Sequence, residues 1–312
     1  MHRVYASLPL SGPAARLGRD LLRGARLALE RSGADVELVA LDSFGEDREK
    51  QAVANARRAV DDPAAVGYIG DFHSTQVLET APILGEAGLL AVAPVATFAG
   101  LAGPTLVRLT PHDGAGARAI ADWLVDVGVR ELLIVHDHDY DYGISVGTMC
   151  DGAARERGLD VRTRPVWNHD EPWREDIGDA DAVLYVGVAG SGALGLWADL
   201  HEHDPSMWLL GSEGVATEWL AEGMSSSAAE RTRFFGAQRA SFDLYGYEAM
   251  ALVLDAIAAG EDDRAAVTRA ARATRDRDSI LGRYSIDEDG HTTTTAYGRL
   301  AVVDGALVWD EP

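Results

Sequence analysis

Short apolar runs alternate with longer amphipathic stretches from the first residues of this chain onward. "RVYASLP" has the look of a strand, and "ARLGRDLLRGARLALERSG" after it carries apolar residues at helical spacing and closes on Gly33. "DVELVALDS" alternates as a strand, "REKQAVANARRAVDD" reads as a helix, and "AVGYIGD" is a buried strand. A helix from about Ser74 to Gly88, which Pro82 should kink, leads into the apolar run "LLAVAP". The β-α-β-α rhythm requires a parallel sheet with helices on both faces, because parallel neighbours can only be joined by crossovers. The rhythm restarts after "LVRLTPHDG" with "AGARAIADWLVDVG", "ELLIVHD", "GISVGTMCDGAARERG", "DVRTRPVW", "AVLYVG", "GALGLWADLHEHD" and "MWLLGSE". Two independently built α/β lobes follow from this, with no sequence repeat between them. The tail breaks the pattern: "LYGYEAMALVLDAIAAG" and "DRAAVTRAARATRD" are helices, and the stretch from "RYSIDEDG" to "LVWDEP" reads as a hairpin turning at Asp304-Gly305, as if to complete a sheet edge.

Bulk properties exclude several functions. The 312 residues carry 28 basic and 50 acidic side chains, a formal net charge of −22. Nucleic acid needs clustered cations and anionic lipid needs basic patches, so neither is expected as a partner. Lys50 is the only lysine. No apolar run is long enough to cross a membrane. Met1-His2-Arg3 leads straight into the first strand, with no secretory apolar core. Either the chain is cytoplasmic, with Met1 as the native start, or an export signal is absent from this segment. The single cysteine, Cys150, rules out an internal disulfide and reads as an inert helix residue.

Chemistry in an open parallel sheet collects just beyond the carboxyl ends of the strands. Two adjacent strand ends stand out. "GDFHST" turns from strand to helix, with Ser74 placed as a helix N-cap over unpaired amides and the positive end of a helix dipole. "VAT" offers Thr97 at the matching place on the next strand. Two hydroxyls and bare amides make a neutral cradle suited to a carboxylate.

These stretches, with "LPLSGPAARLGRDLLRGARLALE", "LLIVHDHDYDYG", "LLGSEG" and "GYEAMALVLDAIAAG", occur in the order seen in the type I periplasmic solute-binding proteins. The chain resembles most the branched-chain (Leu/Ile/Val) amino acid branch, the solute-binding subunits of ABC importers. That resemblance implies two Rossmann-like lobes joined by three crossover strands, near Thr110–His112, Ala237–Phe242 and Tyr284–Asp287, closing on a ligand like a flytrap. Lobe one would be 1–111 plus 241–285, on the carboxylate side, and lobe two 112–240 plus 286–312, on the ammonium side. It implies that Ser74 and Thr97, with the Val95 and Thr97 backbone, hold the carboxylate. It implies that Glu213, in "GSEG", takes the ammonium, and that Tyr142 before Gly143 lines the second lobe. Leu17 stands where an aromatic is frequent, His73 where small residues are common, and Val188 and Ala189 where some relatives carry tyrosines. Phe242 is a further candidate for the side-chain wall. Because these differences fall on the wall, the amino acid head group is better defined than the side chain. No cofactor, metal or catalytic residue is implied. Expected partners are a small amino acid and ABC permease subunits, and the expected place is periplasmic or extracellular, with or without a lipid anchor.

Rival readings remain. "VHDHDYDYG" alternates His and Asp, a pattern that can hold a metal, but alternate residues of an extended chain face opposite ways. "GVAGSG" lacks the spacing and lysine of a nucleotide loop, and "AGSGA" is only a partial nucleophile elbow. The stronger alternative is a ligand-sensing domain of a receptor or regulator, binding a small amide, urea or amino acid derivative.

Overall fold

The computed structural model describes residues 1–137, 141–166, 176–187, 193–236, 241–260, 263–294 and 297–310. The chain folds as two compact units. Unit one comprises Met1–His112 and Ala240–Thr295, and unit two Asp113–Arg239 and Ala296–Pro312, so the backbone passes between them three times.

The first segment runs β1 (His2–Leu8), α1 (Ala15–Ser32), β2 (Val36–Asp42), α2 (Arg48–Asp61), β3 (Ala65–Ile69), α3 (Ser74–Glu86), β4 (Leu90–Ala93) and β5 (Leu106–Arg108). The second runs α4 (Asp113–Asp126), β6 (Glu131–Asp137), α5 (Asp141–Glu156), β7 (Asp160–Val166), β8 (Ala182–Val186), α6 (Ala193–His203), β9 (Trp208–Gly211), α7 (Glu218–Gly223), α8 (Ser226–Glu230) and β10 (Thr232–Gly236). The return to unit one supplies α9 (Phe242–Gly260), α10 (Arg264–Arg272), β11 (Arg277–Ser279) and β12 (Gly282–Tyr284), and the end of the chain supplies β13 (Gly298–Val303) and β14 (Ala306–Trp309) to unit two.

Unit one holds a five-stranded sheet in the order β2-β1-β3-β4-β5, parallel throughout. The strands read as continuous apolar runs because both faces are covered. Val4, Ala6 and Leu8 of β1 join one core with α1, α9 and α10, whereas Tyr5 turns to the other, with α2 and α3. Unit two has a seven-stranded sheet, β14-β13-β10-β9-β8-β6-β7. Its parallel part repeats the strand order of unit one, with β7, β6, β8, β9 and β10 in the places of β2, β1, β3, β4 and β5. The topology is thus duplicated although no sequence repeat can be read. In this order the switch points lie between β1 and β3 and between β6 and β8, where crevices open at the strand ends.

Two tail expectations need correction. The hairpin is confined to β13 and β14, turning at Asp304 (φ 51°) and Gly305 (φ 77°) as an edge of the second sheet. The residues from Tyr284 back pair instead in the separate β11–β12 ribbon. Residues 286–295 also stay with unit one: Ile286 is packed in its core, and Arg108 and His291 form a β-bridge. Burial of one isoleucine side chain fixes the path more firmly than the polar sequence around it suggests.

Candidate ligand-binding site

In unit one the turn after β3 is held from below. Gly70 has φ 140°, and a Cβ there would lie 2.5 Å from the Ser7 carbonyl oxygen, so only glycine lets β3 press this close to β1. Asp71 is fully buried beneath the turn. Its Oδ1 accepts hydrogen bonds from Ser7 Oγ (2.6 Å) and Tyr68 OH (3.1 Å), and its Oδ2 accepts one from Thr80 Oγ1 of α3 (2.9 Å). Burial pushes the Asp71 carboxyl up to about 6. The network ties β1, β3 and α3 into one support.

The residue that caps α3 is His73, not Ser74. His73 is extended (φ −90°, ψ 140°), and its N–H donates to Gln76 Oε1 at 3.3 Å. Gln76 is itself buried, donating to the Ser43 and Arg48 carbonyl oxygens at 3.0 Å each. Ser74 is therefore the first helical residue. Its Oγ accepts a hydrogen bond from the Phe98 N–H at 3.2 Å, which joins the two strand ends directly and leaves the hydroxyl proton for another acceptor. On the far side of the same loop the Phe98 carbonyl oxygen accepts from Nη1 of Arg108 at 2.7 Å. Arg108 is fully buried at the end of β5. Thr97 is half-buried and Val95 is buried in the core. Leu17, half-buried on α1, and Phe242, at the start of α9, also belong to unit one. Phe242 stacks on Phe72 (centroids 5.9 Å), which meets His73 edge-on at 4.9 Å. Burial, and then the Arg48 charge, pull the His73 imidazole down to about 4, so it is neutral at neutral pH.

In unit two Glu213 opens a single 3-10 turn, Glu213–Val215, just after β9. The glycines around it are steric necessities. A Cβ on Gly214 would lie 2.1 Å from the Gly187 carbonyl oxygen, and one on Gly211 would lie 2.4 Å from the Phe234 ring. Tyr142 of α5 accepts the Gly214 N–H on its hydroxyl at 3.3 Å. Burial and then the Glu213 charge raise the Tyr142 phenol, which keeps its proton. The same two causes, followed by Asp113, raise Tyr297. Burial and then Asp113 push the Cys150 thiol up to about 12, so this cysteine is not a nucleophile at neutral pH. Asp113, buried at the start of α4, thus shares a neighbourhood with Glu213, Tyr142 and Tyr297.

Nine side chains were candidates from the sequence. Six of them, Leu17, His73, Ser74, Val95, Thr97 and Phe242, fall in unit one, and Tyr142 and Glu213 fall in unit two. Ala189, like Val188, lies outside the described residues. Of the His-Asp alternation, His136 and Asp137 end β6 and residues 138–140 lie outside the described part. Among the described residues no group of three His, Cys, Asp or Glu side chains is placed to hold a metal. Sequence reasoning missed Asp71, Arg108 and Asp113. An arginine within the otherwise apolar "LVR" strand was a usable signal for the second. Chemically, unit one gathers hydroxyls at the start of α3, groups that can receive an anion, and unit two gathers carboxylates beside protonated phenols, groups that can receive a cation.

The chain is similar to known proteins over almost its whole length. Residues 5–171 match the family model for periplasmic binding proteins. A "Leu/Ile/Val-binding protein homolog 3" of Brucella melitensis is 25% identical, over 96% of this chain and 91% of that one. The crystal structure of a leucine binding protein, LivK, from Thermotoga maritima superposes with a TM-score of 0.81 at 22% identity, covering 100% of this chain and 98% of that one. LivJ of Streptococcus pneumoniae, solved in complex with isoleucine, gives 0.77 at 17% identity, covering 99% of this chain and all of the other. The two structural likenesses establish the fold.

Proposed function

The chain belongs to the family of periplasmic binding proteins, and from that premise we propose that it captures an amino acid, branched-chain or related, outside the cytoplasm and delivers it to an ABC importer. The carrying observation is the opposite character of the two units: hydroxyls and the start of α3 in one, Glu213 among phenols in the other. A free amino acid is a zwitterion. Its carboxylate suits Ser74, Thr97 and the first-turn amides of α3. Its ammonium suits Glu213, with Tyr142 beside it. The permease subunits are the implied partners. Among the described residues no helix is long and apolar enough to cross a membrane. No step of this reading requires turnover.

Isothermal titration with the twenty amino acids tests it. The tightest ligand should lose about 3 kcal/mol, roughly a hundredfold in Kd, in Glu213→Gln, because a desolvated ammonium is left without its counter-charge. In Ser74→Ala, one hydrogen bond to a charged group is lost, worth about 1.5–3 kcal/mol. Tight capture surviving Glu213→Gln would overturn the proposal.

A further inference from the structure

Beside the cradle, at the end of β1 where the first sheet switches direction, unit one contains a pocket of 170 Å³ lined by Pro9, Pro13, Ala14, Ser43, Phe44, Arg48 and His73. It adjoins Ser74 through His73, the residue that caps the same helix. Its wall is polar in a particular way. Ser43 is 1% exposed and its hydroxyl has no hydrogen-bond partner among the described residues. Its backbone, in contrast, is fully engaged: the N–H donates to the Leu8 carbonyl oxygen and the carbonyl oxygen accepts from Gln76. A buried hydroxyl left unpaired costs about 1–3 kcal/mol, a cost that a polar group in the pocket would remove. Arg48 presents a guanidinium whose Nε is held by Glu49 at 3.0 Å, with no hydrogen bond from the other two nitrogens among the described residues. Glu49 also accepts from Thr75 Oγ1 at 2.8 Å; although burial pulls that carboxyl up, the bonds from Thr75 and Arg48 hold it below its ordinary value.

The mouth of the pocket is built rigidly. Asp42 uses its oxygens on the loop itself, accepting from the Leu10 N–H (2.9 Å), Ser11 Oγ (2.6 Å) and the Phe44 N–H (3.0 Å). Its charge is thus committed to the backbone and not to the cavity. Gly12, at φ 74°, lies so close to Phe44 that a Cβ there would be 2.5 Å from the ring. Arg48, Ser43 and His73 can each donate a hydrogen bond; the two oxygens of a carboxylate can accept all three, and the oxygen of a carboxamide can accept two of them.

Resting on the amino acid reading above, we propose that this pocket is a side-chain subsite for an amino acid ending in a carboxylate or carboxamide oxygen, of the size of glutamate or glutamine, held by Arg48, Ser43 and His73. An aliphatic side chain here would leave the Ser43 hydroxyl unpaired and would bury the Arg48 guanidinium against carbon, which disfavours it.

The test is titration calorimetry on the full chain with leucine, isoleucine, glutamine, glutamate and glutarate, repeated with Arg48→Gln and Ser43→Ala. Circular dichroism melting verifies that both variants fold; Arg48 is half-exposed, so its replacement is a mild one. Glutamate or glutamine should bind at least tenfold tighter than leucine. In Arg48→Gln that ratio should fall at least tenfold for glutamate, and less for glutamine if the charge of the ligand carries part of the binding. In Ser43→Ala it should fall about fivefold for both. Leucine or isoleucine binding tightest, with ratios unmoved by Arg48→Gln, overturns the subsite and leaves amino acid capture standing. Glutarate binding that depends on Arg48, with no amino acid bound, keeps the subsite and overturns the amino acid reading. No binding by any of the five overturns the subsite, and the titration with all twenty amino acids then decides the amino acid reading.

Discussion

At the scale of single residues, the turn before α3 depends on a side chain with no exposed surface. Asp71 sits under the turn and receives hydroxyls from β1, β3 and α3. Its carboxyl stands near 6 in the folded protein against 3.8 ordinarily, with burial as the cause. Folding therefore favours its protonated form. That contribution is complete below about pH 4 and is lost as pH rises through 6, since above that a charge must be kept in the interior. A displacement of about two pH units corresponds to about 3 kcal/mol. Asp71→Asn removes the titration and keeps one acceptor oxygen for the surrounding hydroxyls. In urea unfolding at pH 4 through 7, the stability of the variant minus that of the wild type should climb by about that amount. A difference that stays level across this range means that Asp71 does not titrate in this way. The variant also bears on binding, because the turn that presents His73 and Ser74 is built on this carboxylate.

At the scale of elements, two helices of unit one meet through glycines. A Cβ on Gly24 of α1 would lie 1.8 Å from the Asp243 carbonyl oxygen, and one on Gly246 of α9 would lie 1.9 Å from that of Leu21. Neither obstacle is a side chain that could rotate away. Gly24→Ala or Gly246→Ala should therefore force α1 and α9 apart and cost about 1–3 kcal/mol. Gly152, exposed on α5 with nothing within 4 Å of its would-be Cβ, is the contrast: Gly152→Ala should raise stability by about 0.5–1 kcal/mol through helix propensity alone. Denaturant midpoints for the three variants check both signs. The same elements show what could be read in advance. The central strands were legible because sheets covered on both faces leave uninterrupted apolar runs such as "AVGYI" and "AVLYV". β5 and β10 were not read, since three to five residues flanked by polar turns carry too little periodicity. Among the candidate residues, Ser74 and Thr97 could be picked out as small hydroxyl residues at neighbouring strand ends. Asp71, Arg108 and Asp113 were not, because what distinguishes a buried charge from a surface one is packing contributed by distant segments.

At the scale of the whole molecule, the excess of 22 negative charges sets a term that no single contact offsets. The ion pairs in the structure are short and mostly at the surface, such as Arg3–Glu37 at 2.7 Å and Arg155–Asp151 at 2.9 Å. Exposed pairs of this kind are worth about 0–1 kcal/mol each, and at contact distance salt weakens them only in part. The repulsion among unpaired carboxylates acts over tens of ångströms. It is felt at 10 mM salt, where the Debye length is about 30 Å, and is largely extinguished in 0.5 M salt, where it is only a few ångströms. The long-range term therefore wins, and added sodium chloride should stabilise the chain. The urea midpoint at pH 7 should rise between 10 and 500 mM salt. The control is internal to the protein: at its isoelectric point of about 4.7 the net charge vanishes, and the same addition should leave the midpoint level or lower it as the ion pairs weaken. A midpoint that falls with salt at pH 7 would place the balance with the ion pairs instead. It would also mean that the acidic surface is arranged in compensated clusters, which local pairing, and not net charge, would then have to explain.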